Sequence, residues 1–201
     1  MTAQRGRPRS FDDQDTLEKV LDVFWKQGFI GTSLTDLCSA TGLNKPSLYG
    51  AFGNKEALFL AALDRYTSHF GTPAIAALQA EPDAFTAIRS FMLVTVDKLT
   101  AKKMPAGCFI ITNAAATGST DMPEAVAAAL AKASQNARIA LDARLKRAVA
   151  EGQLPPDADP KSLADFIEIT LAGAAALAQG GAPRDALIKA VDIALNAWPK
   201  A

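Results

Sequence analysis

The chain has 201 residues, with 21 Lys and Arg balanced by 21 Asp and Glu, one His and two Cys. A hydrophobic share of 49% and a charged share of 21% describe a folding chain of one or two modest domains and exclude a disordered or fibrous protein. Two Cys cannot staple a chain of this length, one His excludes most metal clusters and His relays, and zero net charge excludes a general polyanion binder.

Residues 1–10 read as a flexible basic arm. Arg5, Arg7 and Arg9 alternate with Gly6 and Pro8, with no apolar run of the kind a secretory signal needs. Arginine in such an arm suits a narrow minor groove. A first helix is expected from Asp13 to Gln27, because Leu17, Val20, Leu21, Phe24 and Trp25 fall on one stripe and Gly28 follows as a stop. Ser33 opens a second, short helix with Asp36 at capping-box spacing, and Gly42 ends it. Asn44 caps a third, with Pro46 in its first turn, and Asn54 caps a fourth, much longer one. Three helices, the last two short and split by a Gly-bearing turn, make a helix-turn-helix pattern over residues 11–56.

On a helical wheel Leu48, Ala51 and Phe52 turn inward, leaving Lys45, Pro46, Ser47, Tyr49 and Gly50 outward. That outward face is small and polar, with one cation and one phenol. It suits a helix whose first turn enters a major groove. Thr32, Ser33, Tyr49 and Lys55 are the candidates for phosphate contacts.

Beyond Tyr66 alanine dominates, and no strand signal appears. Helices are expected at 54–79, 82–101, 105–116, 121–151, 160–179 and 183–198, about nine in the whole chain. Residues 57–201 then form a helical ligand-binding and dimerisation domain. The longest uncharged apolar stretch, Ile169 to Pro183, is too short to span a bilayer, so no membrane contact is expected. Leu163, Phe166, Ile167, Leu171 and Ala174 stripe one of the last two helices, and Leu187, Ile188, Val191, Ile193, Leu195 and Trp198 crowd the other. So much apolar circumference points to a homodimer through residues 160–198.

An effector pocket is expected among the middle helices, with Phe70, Phe91, Thr95, Phe109 and Asn113 as candidates and a small hydrophobic or weakly polar ligand. Cys108 follows Gly107 near a helix start, which fits either a redox-sensing thiol or a buried structural one. His69 and Cys108 lack metal-ligand spacing, and neither metal nor cofactor is expected. Nor does any nucleophile elbow or phosphate loop suggest an enzyme.

The run from Gly28 to Leu34, then Asp36-Leu37, Thr41 to Asn44, Ser47-Leu48-Tyr49, Phe52 and Lys55 to Leu58, closely resembles the TetR/AcrR family of transcriptional repressors. The arm Arg5 to Arg9 is common there too. The resemblance covers residues 5–66 and implies an all-α fold. It also implies a cytoplasmic dimer on double-stranded DNA with a palindromic operator, released by a small molecule. Residue by residue it places Thr32, Ser33, Tyr49 and Lys55 on phosphates and Lys45, Pro46 and Ser47 on bases. Cys38 and Ala51 depart from the usual Ala and His beside the reading helix. The rival is a helical ligand-binding or thiol-sensing protein in which DNA binding is secondary or lost.

Overall fold

The computed structural model describes residues 12–199, so Arg5 and Arg7, the arm residues expected on DNA, lie outside it. Asp12 caps the first helix by accepting the Gln14 amide at 2.8 Å. From there the described residues form ten α-helices and no strand. They are α1 (Asp13–Gly31), α2 (Leu34–Thr41), α3 (Lys45–Phe52), α4 (Lys55–Tyr66), α5 (Thr72–Ala80), α6 (Ala84–Leu99), α7 (Phe109–Ala114), α8 (Glu124–Ala150), α9 (Pro160–Gln179) and α10 (Arg184–Leu195).

Most predicted boundaries lie within a few residues of these. The long helix expected at 54–79 is divided by a π turn over Thr67–Gly71, which separates α4 from α5. The helix expected at 105–116 is shorter, because Gly107 sits at φ +89° and its amide turns back to the Leu99 carbonyl. Gly28 breaks α1 as expected, at φ +71° and ψ 170°, yet the chain regains a helical turn as far as Gly31.

Two cores hold the helices. The first gathers Val20, Phe24, Trp25 and Phe29 of α1, Leu37 of α2, Leu48 of α3 and Leu58, Phe59 and Leu63 of α4. It is completed from far along the chain by Phe109 of α7 and by Met122, Val126 and Leu130 at the start of α8. The second packs α6 against α5, α8, α9 and α10 through Ile88, Met92, Val96, Leu141, Leu145, Ile167, Leu171 and Val191.

Arg144 of α8 is fully buried and donates to the Glu81 and Pro82 carbonyls at 3.1 and 2.9 Å. Arg147 donates to Gln79 and Glu81 at 2.9 Å each, so two arginines clasp the α5–α6 turn. Arg138 joins α8 to α9 by pairing with Asp165 and with Glu168 at 2.8 Å.

The expected apolar stripe on the last two helices needs one correction. Ile167, Leu171 and Ala174 of α9, and Leu187, Val191 and Leu195 of α10, face their own core. The uncovered apolar face is narrower than the expected set: it keeps Phe166 of α9 and Ile193 of α10 and adds Ile169 and Leu177 of α9, with Ile169 71% and Ile193 69% exposed. By length and composition α9 could cross a bilayer, but part of its circumference is spent on the second core.

Three caps leave a pH signature. Hydrogen bonds from the hydroxyl and then the amide of Ser33 hold the Asp36 carboxyl below its ordinary value. Thr86 does the same for Asp83, and Ser162 for Asp159. A carboxylate with a lowered folded-state pKa stabilises the fold above its unfolded value and loses that contribution as pH falls through the folded one. Calorimetry should therefore show the melting temperature dropping below about pH 4. An Asp36→Asn, Asp83→Asn, Asp159→Asn variant should drop less over the same window.

Candidate nucleic-acid interface

α2, α3 and α4 each begin on a side-chain cap, and together they present three helix N-termini. Ser33 accepts the Asp36 amide at 3.1 Å, while both its amide and its hydroxyl donate to the Asp36 carboxylate at 2.8 and 2.6 Å. Asn44 accepts the Ser47 amide at 2.9 Å, and Asn54 accepts the Ala57 amide at 2.9 Å. Gly42, at φ +73°, makes the left-handed turn that swings α3 away from α2.

α3 buries Leu48 and leaves Lys45, Pro46, Ser47 and Gly50 exposed. Tyr49 is half-buried: its ring packs on the first core, and the Lys45 ammonium stands 5.6 Å from its centroid. Proline in the first turn withholds an N–H that no carbonyl could have used, so the turn stays preformed. The outward set expected from the helical wheel is therefore assembled on one helix face. A basic, small-residue helix start of this kind matches the donor geometry that phosphates and base edges require.

Two expected phosphate contacts stand differently. Thr32 is 1% exposed and its hydroxyl donates to the Gly28 carbonyl at 2.6 Å, so that hydroxyl closes the end of α1 and is spent. The Ser33 hydroxyl is likewise committed to Asp36. The amides left without intrahelical partners at this end are those of Leu34 and Thr35, and Thr35 is exposed. A capping box fully paired within itself hands anion contact to the backbone, which sequence spacing alone did not separate from hydroxyl contact. Lys55 is half-buried with its ammonium 4.4 Å from the Phe29 ring centroid, and burial pushes its pKa down.

The five residues expected to line an effector pocket are not brought together. Phe109 is fully buried, with ring centroids 5.3 Å from Phe59, 5.3 Å from Tyr66 and 6.1 Å from Trp25, so close packing leaves no room there for a ligand. Asn113 is buried as a structural clasp, with its oxygen accepting the Phe29 amide at 2.8 Å. Its nitrogen donates to the Phe109 carbonyl at 2.8 Å and, more weakly, to the Phe24 carbonyl at 3.5 Å. Phe70 packs on Trp25 and Tyr66 at the edge of the same core. Thr95 donates its hydroxyl to the Phe91 carbonyl at 2.8 Å. Phe91 lines a cavity of about 220 Å³ between the π turn, α5 and α6, and Phe70 lines a separate one of about 350 Å³ beside α1 and the end of α4. Cys108 is half-buried just ahead of α7, with its sulfur 3.4 Å from the Tyr66 hydroxyl.

Comparison with known proteins places this arrangement. Residues 17–62 match the family model of bacterial regulatory proteins of the tetR family, and residues 84–192 match that of the tetracyclin repressor-like C-terminal domain. The HTH-type transcriptional repressor ComR of Escherichia coli is 35% identical over 197 residues, covering 98% of this chain and 93% of ComR. The HTH-type transcriptional regulator YezE of Bacillus subtilis is 31% identical over 192 residues, covering 95% of this chain and 98% of YezE. Among solved structures, a cysteine mutant of the regulator CifR in complex with 26-bp double-strand operator DNA superposes with a TM-score of 0.90 at 36% identity, covering 96% of this chain and all of that one. With both halves matched in order and the helix-turn-helix intact, this chain belongs to the TetR family of transcriptional regulators.

Proposed function

We propose that this chain represses transcription in the cytoplasm as a homodimer on a palindromic operator, leaving the DNA when a small molecule occupies its C-terminal domain. The exposed first turn of α3, with Lys45, Pro46 and Ser47 outward and Leu48 anchored beneath, carries the proposal. CifR, similar over nearly the whole chain, is seen with an operator duplex. Lys45, Pro46 and Ser47 read bases. Tyr49, Lys55 and the amides opening α2 hold phosphates, and Arg5 and Arg7 reach from the arm.

The uncovered face of α9 and α10 supplies the twofold contact. Phe166, Ile169 and Leu177 recur at helical spacing along α9 and, with Ile193 of α10, are large apolar side chains left to water in a single protomer. Pairing two copies of the hairpin covers it and sets two α3 helices to face successive turns of one duplex.

Selection from a random-sequence duplex library at near-physiological salt tests the reading. A palindrome with half-sites about one helical turn apart is the expected result. A folded dimer that enriches nothing would argue for a ligand-binding protein without DNA. On the selected operator, Lys45→Ala should weaken binding by about tenfold and relax the base preference at the position it faces, with the melting temperature unchanged. Tyr49→Phe should also weaken binding, since it removes only the hydroxyl.

A further inference from the structure

We propose that the cavity between the π turn, α5 and α6 binds a small carboxylic acid with an apolar body, its carboxylate seated on Lys98. This rests on the effector-responsive reading above and names the chemistry that reading leaves open. The cavity measures about 220 Å³. That is below the roughly 300–1,000 Å³ of pockets for drug-sized ligands, so one ring or a short chain fills it. Ala74, Leu78, Ala87, Phe91 and Val94 make its walls, and none of them offers a polar atom from its side chain.

The polar side chains stand at its margin, and none of them is a carboxylate. The Lys98 ammonium donates to the Phe70 carbonyl at 2.7 Å and lies 5.9 Å from the Phe70 ring centroid. No carboxylate pairs with it among the described residues. Asp97, its neighbour in sequence, points elsewhere and binds Arg184 at 2.7 Å. Two of the three ammonium N–H groups are thus unspent on a side chain that is half-buried. Burial pushes the Lys98 pKa down, and no anion offsets that cost. An arriving carboxylate gains a charge-assisted hydrogen bond beside apolar walls, whereas an alcohol gains a weaker one and an amine is repelled. His69 and Ser90 line the same cavity and add further hydrogen-bonding groups at its rim.

The carbonyl that Lys98 holds belongs to the π turn, where the Thr72 amide reaches five residues back to the Thr67 carbonyl. Such turns mark functional positions in many helices. This one directly follows α4, the helix whose start, at Asn54 and Lys55, borders the DNA face. A carboxylate competing for Lys98 therefore acts on the segment that joins the two halves of the molecule.

Titration calorimetry of the full chain tests the assignment, using benzoate and hexanoate, each beside its neutral counterpart, benzyl alcohol and hexanol. At least one carboxylate should bind saturably and tenfold or more tightly than its alcohol. Lys98→Met should erase that preference while leaving alcohol binding unchanged, and Val94→Trp, at the exposed side of the cavity, should block both. In crystals soaked with 4-bromobenzoate, the bromine should lie between α5 and α6. Saturable binding by none of the probes, alcohols binding as well as acids, an unaltered preference in Lys98→Met, or bromine elsewhere would each overturn it. Operator selection without any probe is a separate readout. A chain that binds benzoate and selects no duplex would lose the repressor reading and keep this site.

Discussion

An Asn113→Ala protein is expected to be less stable by about 3 kcal/mol, because the substitution strands the buried Phe29 amide and removes the other bonds of the Asn113 side chain. For a chain of this size that is a fall of about 10 °C in melting temperature. The reason lies in Gly28. At φ +71° and ψ 170° it interrupts the hydrogen-bond ladder of α1, leaving the Phe29 amide without its helical partner. Asn113, 84 residues further on, is the side chain that takes the Phe29 amide. Its remaining bond, to the Phe109 carbonyl, fixes it on α7. Water cannot substitute easily, since Asn113 is 1% exposed. Because the chain runs from Phe29 through Thr32 straight into α2, operator affinity should fall as well, measured well below the new melting point. An unchanged melting curve would mean that the Phe29 amide finds another acceptor.

Ile169→Glu should convert the proposed dimer to a monomer and weaken operator binding more than a hundredfold. Within one protomer the change is mild, for Ile169 is 71% exposed. Across a twofold interface it would place two carboxylates in apolar surroundings, at a cost of several kcal/mol per ion. Each 1.4 kcal/mol is a tenfold change in the association constant, so even partial relief leaves little dimer. Sedimentation equilibrium gives the assembly state, and circular dichroism at matched concentration shows whether the helices persist. A dimer retained by Ile169→Glu would move the interface to another surface.

The DNA-facing half was legible because its determinants are local. Caps at Ser33, Asn44 and Asn54, the stop at Gly42, and the inward turn of Leu48 and Phe52 all act within a few residues of themselves. Spacing and side-chain type suffice to place such features. What escaped was long-range. Nothing near Asn113 in sequence distinguishes a clasp on α1 from a polar group in a pocket, since its partner lies 84 residues away. Arg144 would be assigned to the surface by type, yet it is fully buried against the α5–α6 turn. Lys98 went unnoticed because a lysine near a helix end is ordinarily solvated, and only the fold reveals the cavity beside it. On the last two helices the apolar residues nearly ringed the circumference. Periodicity could not say which arc meets the home core and which a second copy.

The composition of the first core also sets where this chain can be cut or recombined. Phe109 lies in ring contact with both Trp25 and Phe59, and Met122, Val126 and Leu130, just before and within α8, close the same wall. Severing the chain after Tyr66 would release three short helices and α4 with one side open to water, a fragment missing part of its own interior. Grafting residues 12–66 onto another regulator's C-terminal half would meet the same difficulty, unless the recipient supplied an Asn opposite Phe29 and a ring in place of Phe109. The transplantable unit is discontinuous: residues 12–66 need 107–130 to complete their interior, although the π turn, α5 and α6 separate the two stretches in sequence.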